Sequence, residues 1–133
     1  MSRGVGVLLL AAAAVFGCSG DQGPIAGELS VRLATPRSSD RAVLFRVVGA
    51  QHGVTAGTGA AYRVLVDTSA VGDTSWIAVI APQASGLAAG EIARLAVADV
   101  RKAGDYRVAL SDVAAADYSV GDTAGVSLTV VRP

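Results

Sequence analysis

Apolar and polar side chains alternate along most of this chain in short runs, broken at regular intervals by turn-forming residues. "ELSVRLA" sets Leu29, Val31 and Leu33 on one side and Ser30 and Arg32 on the other. That period of two is the pattern of a half-buried strand. "TPRSSDR" interrupts it with Pro36, Ser38, Ser39 and Asp40, all of which favour turns. "AVLFRVVG" follows as a nearly continuous apolar run whose one charged residue is Arg46. "AQHGVTAGTGA" holds three glycines and reads as a loop or irregular edge. "YRVLVDT" puts Tyr62, Val64 and Val66 on one face, with Arg63 and Asp67 flanking Leu65 on the other. After the turn "SAVGDTS", "WIAVIAP" is a second apolar run, ended by Pro82.

The remaining third continues the theme with one ambiguity. "EIARLAVADV" contains good helix formers. Read with a period of two, Ile92, Arg94 and Ala96 oppose Ala93, Leu95 and Val97. Its neighbours make a strand the preferred reading, and the helix alternative for 91–98 stays open. "RKAGD" is a hairpin-turn candidate, and "YRVALSDV" alternates Tyr106, Val108 and Leu110 against Arg107, Ala109 and Ser111. "AAADYSVGDTA" reads as a loop with room for a helical turn. "GVSLTVV" then points Val126, Leu128 and Val130 inward. About seven strands with turns every ~8–12 residues predict an all-β, two-sheet antiparallel sandwich. A domain over 28–133 is large enough to bury a core without disulfides. The single cysteine excludes the inter-sheet disulfide of immunoglobulin domains.

The N-terminus departs from this pattern. Arg3 precedes the apolar run "VGVLLLAAAAVF", and small Gly17 stands before Cys18. Charged start, apolar middle and small residue are the layout of an export signal over 1–17. The run is too short to span a bilayer, which takes ~20 apolar residues. "SGDQGPIAG" has the composition of a tether, so 18–27 is read as a flexible link to the domain. An ordinary signal peptide with an incidental cysteine is the competing reading. It leaves an exported thiol without a disulfide partner.

"VFGC" resembles the lipobox of bacterial lipoproteins at Val15, Gly17 and Cys18. The resemblance implies cleavage before Cys18, diacylation of its sulfur and acylation of its new amine. Two or more acyl chains hold a protein stably on a membrane, where one binds reversibly. By resemblance to the sorting rule of Gram-negative lipoproteins, Ser19 implies the outer membrane, facing periplasm or cell surface.

Charge and chemistry narrow the function further. Beyond 1–17 the chain carries ten basic and eleven acidic side chains and has no basic cluster for nucleic acid. His52 is the only histidine, no G-x-S-x-G motif occurs, and no catalytic set is suggested, so the chain is read as non-enzymatic. Asp67, Asp73, Asp105, Asp112, Asp117 and Asp122 sit mostly beside Gly, Ser or Thr. Turn capping is their expected role. A calcium ion at the loop ends is the lesser alternative, and no metal or cofactor is assigned. Phe45, Tyr62, Trp76 and Tyr106 fall in apolar strands and are expected in the core, leaving Tyr118 in a loop. That is a poor supply of aromatics for a glycan surface. Arg46, Arg63, Arg94 and Arg107, all mid-strand, are expected to cover solvent-side sheet surface with their stems.

The segment from Ser75 to Asp117 resembles the second half of a cohesin-like β-sandwich module. The features that carry this are the "G-x-x-x-G-E" connector of Gly86 to Glu91, the "I-A-x-L-x-V" strand of Ile92 to Val97, Gly104, and the Asp112 to Asp117 loop. The resemblance implies a sandwich that works by protein contact through a sheet face or edge. Glycan or calcium binding at the loop ends is the alternative function. No binding residue is carried over.

Overall fold

The computed structural model describes residues 23–57, 60–68, 73–83 and 85–133. The alternating stretches become strands because each must bury one row of apolar side chains and leave the other row wet. Among the described residues eight strands form: β1 (Gly27–Ala34), β2 (Ala42–Val48), β3 (Gly53–Ala56), β4 (Arg63–Thr68), β5 (Thr74–Ile80), β6 (Gly90–Val97), β7 (Arg107–Ala114) and β8 (Ser127–Val131). A short 3₁₀ helix, η1 (Val100–Asp105), links β6 to β7. The strands make two four-stranded sheets, β3-β6-β1-β8 and β4-β5-β2-β7, antiparallel throughout. These are called sheet A and sheet B below. The expected two-sheet antiparallel sandwich is the fold. Only β4 and β5 are consecutive neighbours within one sheet; every other connection crosses between sheets.

That crossing pattern corrects two expectations. "RKAGD" is not a hairpin turn, because β6 and β7 belong to different sheets. η1 carries the chain across instead, capped by Asp99, whose side chain accepts the Arg101 N–H. The glycine-rich stretch after β2 yields a short eighth strand, β3, paired with β6 from Gly53↔Ala96 to Ala56↔Ala93. The open question over 91–98 resolves as strand: β6 pairs on both sides, with β1 and β3.

The core lies between the sheets. Leu29 and Val31 from β1, Phe45 and Val47 from β2, Ile77 from β5 and Leu95 from β6 are all fully buried. Leu87, from the β5–β6 connector, closes one end and is also fully buried. Two bulges shift the expected phase. Ile92 is the extra residue opposite Val31/Arg32, so it turns inward together with Ala93. Ser111 is the extra residue opposite Leu44/Phe45 on β7. Phe45 is in the core as expected, with Tyr62 and Tyr106 packed partly buried against it. Trp76 is not: Ser75 and Ile77 take the inward positions of β5, so Trp76 faces solvent, 37 % exposed.

Cys18 and the signal-like segment lie outside the described residues. The end of the expected tether is in contact with η1: Val100 N–H donates to the Ile25 carbonyl at 2.8 Å, and Arg101 Nη2 to the Gly23 carbonyl at 3.1 Å. Among the described residues no helix is long and apolar enough to cross a membrane.

Candidate functional site

The two outer faces of the sandwich are built from the same strand alternation but differ in how their charged and apolar side chains are engaged. On sheet A the outward positions include Glu28, Ser30 and Arg32 of β1, Thr55 of β3, Glu91, Arg94 and Ala96 of β6, and Thr129 and the exposed Val131 of β8. Ser30 donates its hydroxyl to Glu91 Oε2 at 2.6 Å, and Arg94 Nε donates to Glu91 Oε1 at 2.9 Å. A longer contact, 3.4 Å, joins Arg94 Nη1 to Glu28 Oε1. The Glu91 carboxylate holds the Arg94 guanidinium above its usual pKa, with Glu28 adding to it. Glu28, Ser30, Glu91 and Arg94 are thus joined in one cluster, while Arg32 is exposed beside it.

Sheet B mixes apolar and charged positions. Its outward residues include Leu44, Arg46 and Val48 on β2, Arg63, Leu65 and Asp67 on β4, Trp76, Ala78 and Ile80 on β5, and Arg107, Ala109 and Asp112 on β7. Val48, Leu65 and Trp76 are exposed by 37–46 %. Cross-strand pairing aligns them: Arg46 stands opposite Trp76, and Leu44 and Leu65 both stand opposite Ala78. The small Ala78 between two leucines leaves shallow relief. A depression of about 310 Å³ lies among Leu44, Leu65, Trp76 and Ala78. A second, about 300 Å³, shares Leu44 and Ala78 and runs on to Ile80, Tyr118 and Val120.

Basic side chains fringe this face. The Arg46 guanidinium sits 6.0 Å over the Trp76 ring, at the limit of a cation–π contact. Arg46, Arg63 and Arg107 are exposed on sheet B and form no ion pair with a described residue. Arg94, the fourth arginine of that group, lies on sheet A in its carboxylate cluster. The far rim is a tight turn, in which Tyr118 N–H donates to the Ala115 carbonyl at 2.8 Å. Tyr118 takes a left-handed φ of 65° there, a conformation costly for a bulky side chain. Its ring is 60 % exposed and Val120 is 86 % exposed, with the Arg41 guanidinium 5.8 Å from the ring.

A cleft of about 550 Å³ opens at the η1 end, lined in part by His52, Asp73, Lys102, Asp105 and Tyr106. Two of its polar groups, Tyr106 and Asp99, hold the fold. The Tyr106 hydroxyl donates to the Ala50 carbonyl. Its ring lies against Gly49, where any Cβ would stand 2.4 Å from it. Burial first, then Asp73 and Asp105, push the Tyr106 hydroxyl above its ordinary pKa. Asp99 accepts from Arg101 through both carboxylate oxygens and from the Arg101 and Ile25 N–H groups. The Arg101 guanidinium lowers the Asp99 carboxyl to about 2, so this clasp stays charged at neutral pH.

The aspartates singled out from sequence are dispersed. Asp117 accepts from the Ser119 hydroxyl at 2.6 Å and its N–H at 3.1 Å, which lowers its pKa. Asp122 accepts from Ala124 N–H at 2.9 Å. These are turn-capping bonds. Asp67 lies on β4 and Asp112 on β7, while Asp73 and Asp105 lie at the η1 end. Among the described residues no three His, Cys, Asp or Glu side chains are grouped to hold a metal ion.

Sequence reasoning missed two features. Asp99 carried a legible sign, since an aspartate before a short helical turn is a preferred cap. The outward Trp76 did not, because "WIAVIA" is apolar on both faces. Comparison with protein-family models, with curated proteins and with solved structures returned no match.

Proposed function

We propose that this chain is a lipid-anchored, non-catalytic contact module of the cell envelope that binds a protein partner through the outer face of sheet B. The observation that carries the reading is the contrast between the two outer faces. On one, Glu28, Glu91 and Arg94 are joined in a single cluster with Ser30. The other leaves Trp76 and Leu65 exposed beside arginines that form no ion pair with a described residue. Apolar patches on a monomer's surface mark interaction sites, and Trp and Arg dominate binding energy where such sites are used. The fitting partner has an apolar centre rimmed by carboxylates that meet Arg46 and Arg107. The cohesin-like pattern of Ser75 to Asp117 supports the same reading, because that group works by contact.

The lipobox resemblance supplies the anchor. With acyl chains on Cys18, five residues separate the lipid from Gly23, a reach of at most roughly 18 Å. The η1 end therefore stands near the membrane. Growth with radioactive palmitate should label the wild-type chain and leave Cys18→Ala unlabelled; label on the variant would remove the anchor from this proposal.

The face is tested by capture from detergent-solubilised membranes with tagged full-length chain. Wild type and Thr129→Ala, on the polar face of sheet A, should retain the same protein. Trp76→Ala should lose it by at least about tenfold, the scale of a hot-spot truncation. Equal capture by all three, or retention only on polysaccharide, would sink the assignment of this face.

A further inference from the structure

The free edge of β4 carries a second message, independent of the face beside it. β4 ends sheet B, and no described strand pairs with its outer side. An open strand edge is a template for another chain, and proteins commonly blunt it by shortness, bulges or cover. Two other edges here are blunted. β3 has four residues. β7 is bulged at Ser111, and Ala114 at its end is bridged to Val120. β8, "SLTVV", is unbulged but has no charged residue to set a register. β4, "RVLVDT", is six residues long with no bulge against β5. Leu65 is 46 % exposed and its neighbour Val66 41 %. Adjacent strand residues point to opposite faces, so both faces of the strand are short of cover.

The sequence of β4 is complementary to itself. In an antiparallel pair of identical strands, residues that turn their N–H and C=O to the junction must face residues of the same kind. Opposed positions therefore share parity, and the two-fold axis passes through a residue. Centred on Leu65, Arg63 of each copy stands opposite Asp67 of the other, Val64 opposite Val66, and Leu65 opposite Leu65. Centring on Val64 would set Arg63 against Leu65; centring on Val66 would set Asp67 against Leu65. Only one register matches charge with charge. Neither Arg63 nor Asp67 has an ion pair with a described residue that would compete.

We infer that β4 pairs with β4 of a second copy of this chain, centred on Leu65, joining two sheets B into one eight-stranded antiparallel sheet. The interface is isologous, with each contact occurring twice. Opposed Cβ atoms stand roughly 5 Å apart in such a pair, within reach of an Arg–Asp contact. The two-fold axis is perpendicular to the sheet, so both apolar faces lie on the same side. The dimer is thereby divalent toward anything that binds that face.

Sedimentation of the full chain, in detergent with micelles in excess over protein, tests this with a charge exchange. Wild type should be dimeric. Arg63→Asp and Asp67→Arg, each alone, set like charges opposite one another at both contacts and should weaken association by about tenfold or more. An equimolar mixture of the two variants should form heterodimers, since each junction regains Arg against Asp. The doubly exchanged chain should return to wild-type association. Monomeric wild type, single variants that dimerise like wild type, or a mixture that stays monomeric would each overturn the inference. Recovery in the mixture also shows that both variants are folded. Trp76→Ala should remain dimeric even where it fails to capture a partner, which separates this result from the fate of the proposed binding face.

Discussion

Phe45→Ala should destabilise the sandwich by about 3–5 kcal/mol, the cost of removing a buried aromatic side chain and leaving a cavity. Phe45 is fully buried and sits on β2, an inner strand of sheet B, opposite Ile77 of β5 and Leu110 of β7. Among the described residues it is the one aromatic that is fully buried; Tyr62 and Tyr106 contribute from the core's margin. The aliphatic side chains around it, among them Val47, Ile77 and Val79, are held by two ladders and cannot close the gap. A domain of this size has a total stability of about 5–15 kcal/mol, so the variant should be near its unfolding limit. Urea unfolding followed by circular dichroism measures the loss. Leu110→Ala, at a half-buried position on β7, should lose distinctly less. A Phe45→Ala loss below about 1 kcal/mol would mean that the two sheets do not close over this ring.

The same position shows what the chain's pattern reveals and what it conceals. Leu29, Val31 and Leu33 alternate with polar residues, and their inward phase could be read directly. "AVLFRVV" and "WIAVIA" are apolar at nearly every position, so periodicity locates the strands but gives no phase. In a parallel sheet such runs mean burial on both sides. In this antiparallel sandwich no further layer among the described residues covers the outer face of sheet B, and Val48, Leu65 and Trp76 are left exposed. The feature that hid Trp76 from sequence reasoning is therefore the one that defines the candidate site. The charged residues misled in a different way. Arg46, Arg63, Arg94 and Arg107 look equivalent along the chain, yet strand order puts three on sheet B and one among the carboxylates of sheet A. Pairing across 61 or more residues joins Glu91 to Ser30 and Arg94 to Glu28, and no local pattern encodes that.

Gly86→Ala should prove nearly as damaging as the loss of a core side chain, although it adds a single methyl group. The segment around Gly86 lies against the β1–β2 connector: Leu87 N–H donates to the Asp40 carbonyl at 2.8 Å, and the Arg41 guanidinium reaches the Ser85 carbonyl. A Cβ on Gly86 would stand 1.8 Å from the Ser38 carbonyl oxygen and 2.9 Å from Ser39 Cα. Those are backbone atoms, with no rotamer to swing aside, and Asp40 is held in place by its ion pair with Arg37. Forcing extra volume into a packed site costs about 1–3 kcal/mol, and a backbone clash belongs at the upper end. If the connector lifts to relieve it, fully buried Leu87 is drawn out with it, at a similar cost of about 2 kcal/mol. Gly104→Ala is the control, since nothing lies within 4 Å of its added carbon. Urea midpoints should fall for Gly86→Ala and stay near wild type for Gly104→Ala. Amide exchange at Leu87 should quicken in the first variant alone, because its hydrogen bond to Asp40 depends on the connector lying flat. Equal midpoints for the two would mean that the connectors do not meet at Gly86. The first glycine of the "G-x-x-x-G-E" connector would then have no steric reason to be glycine.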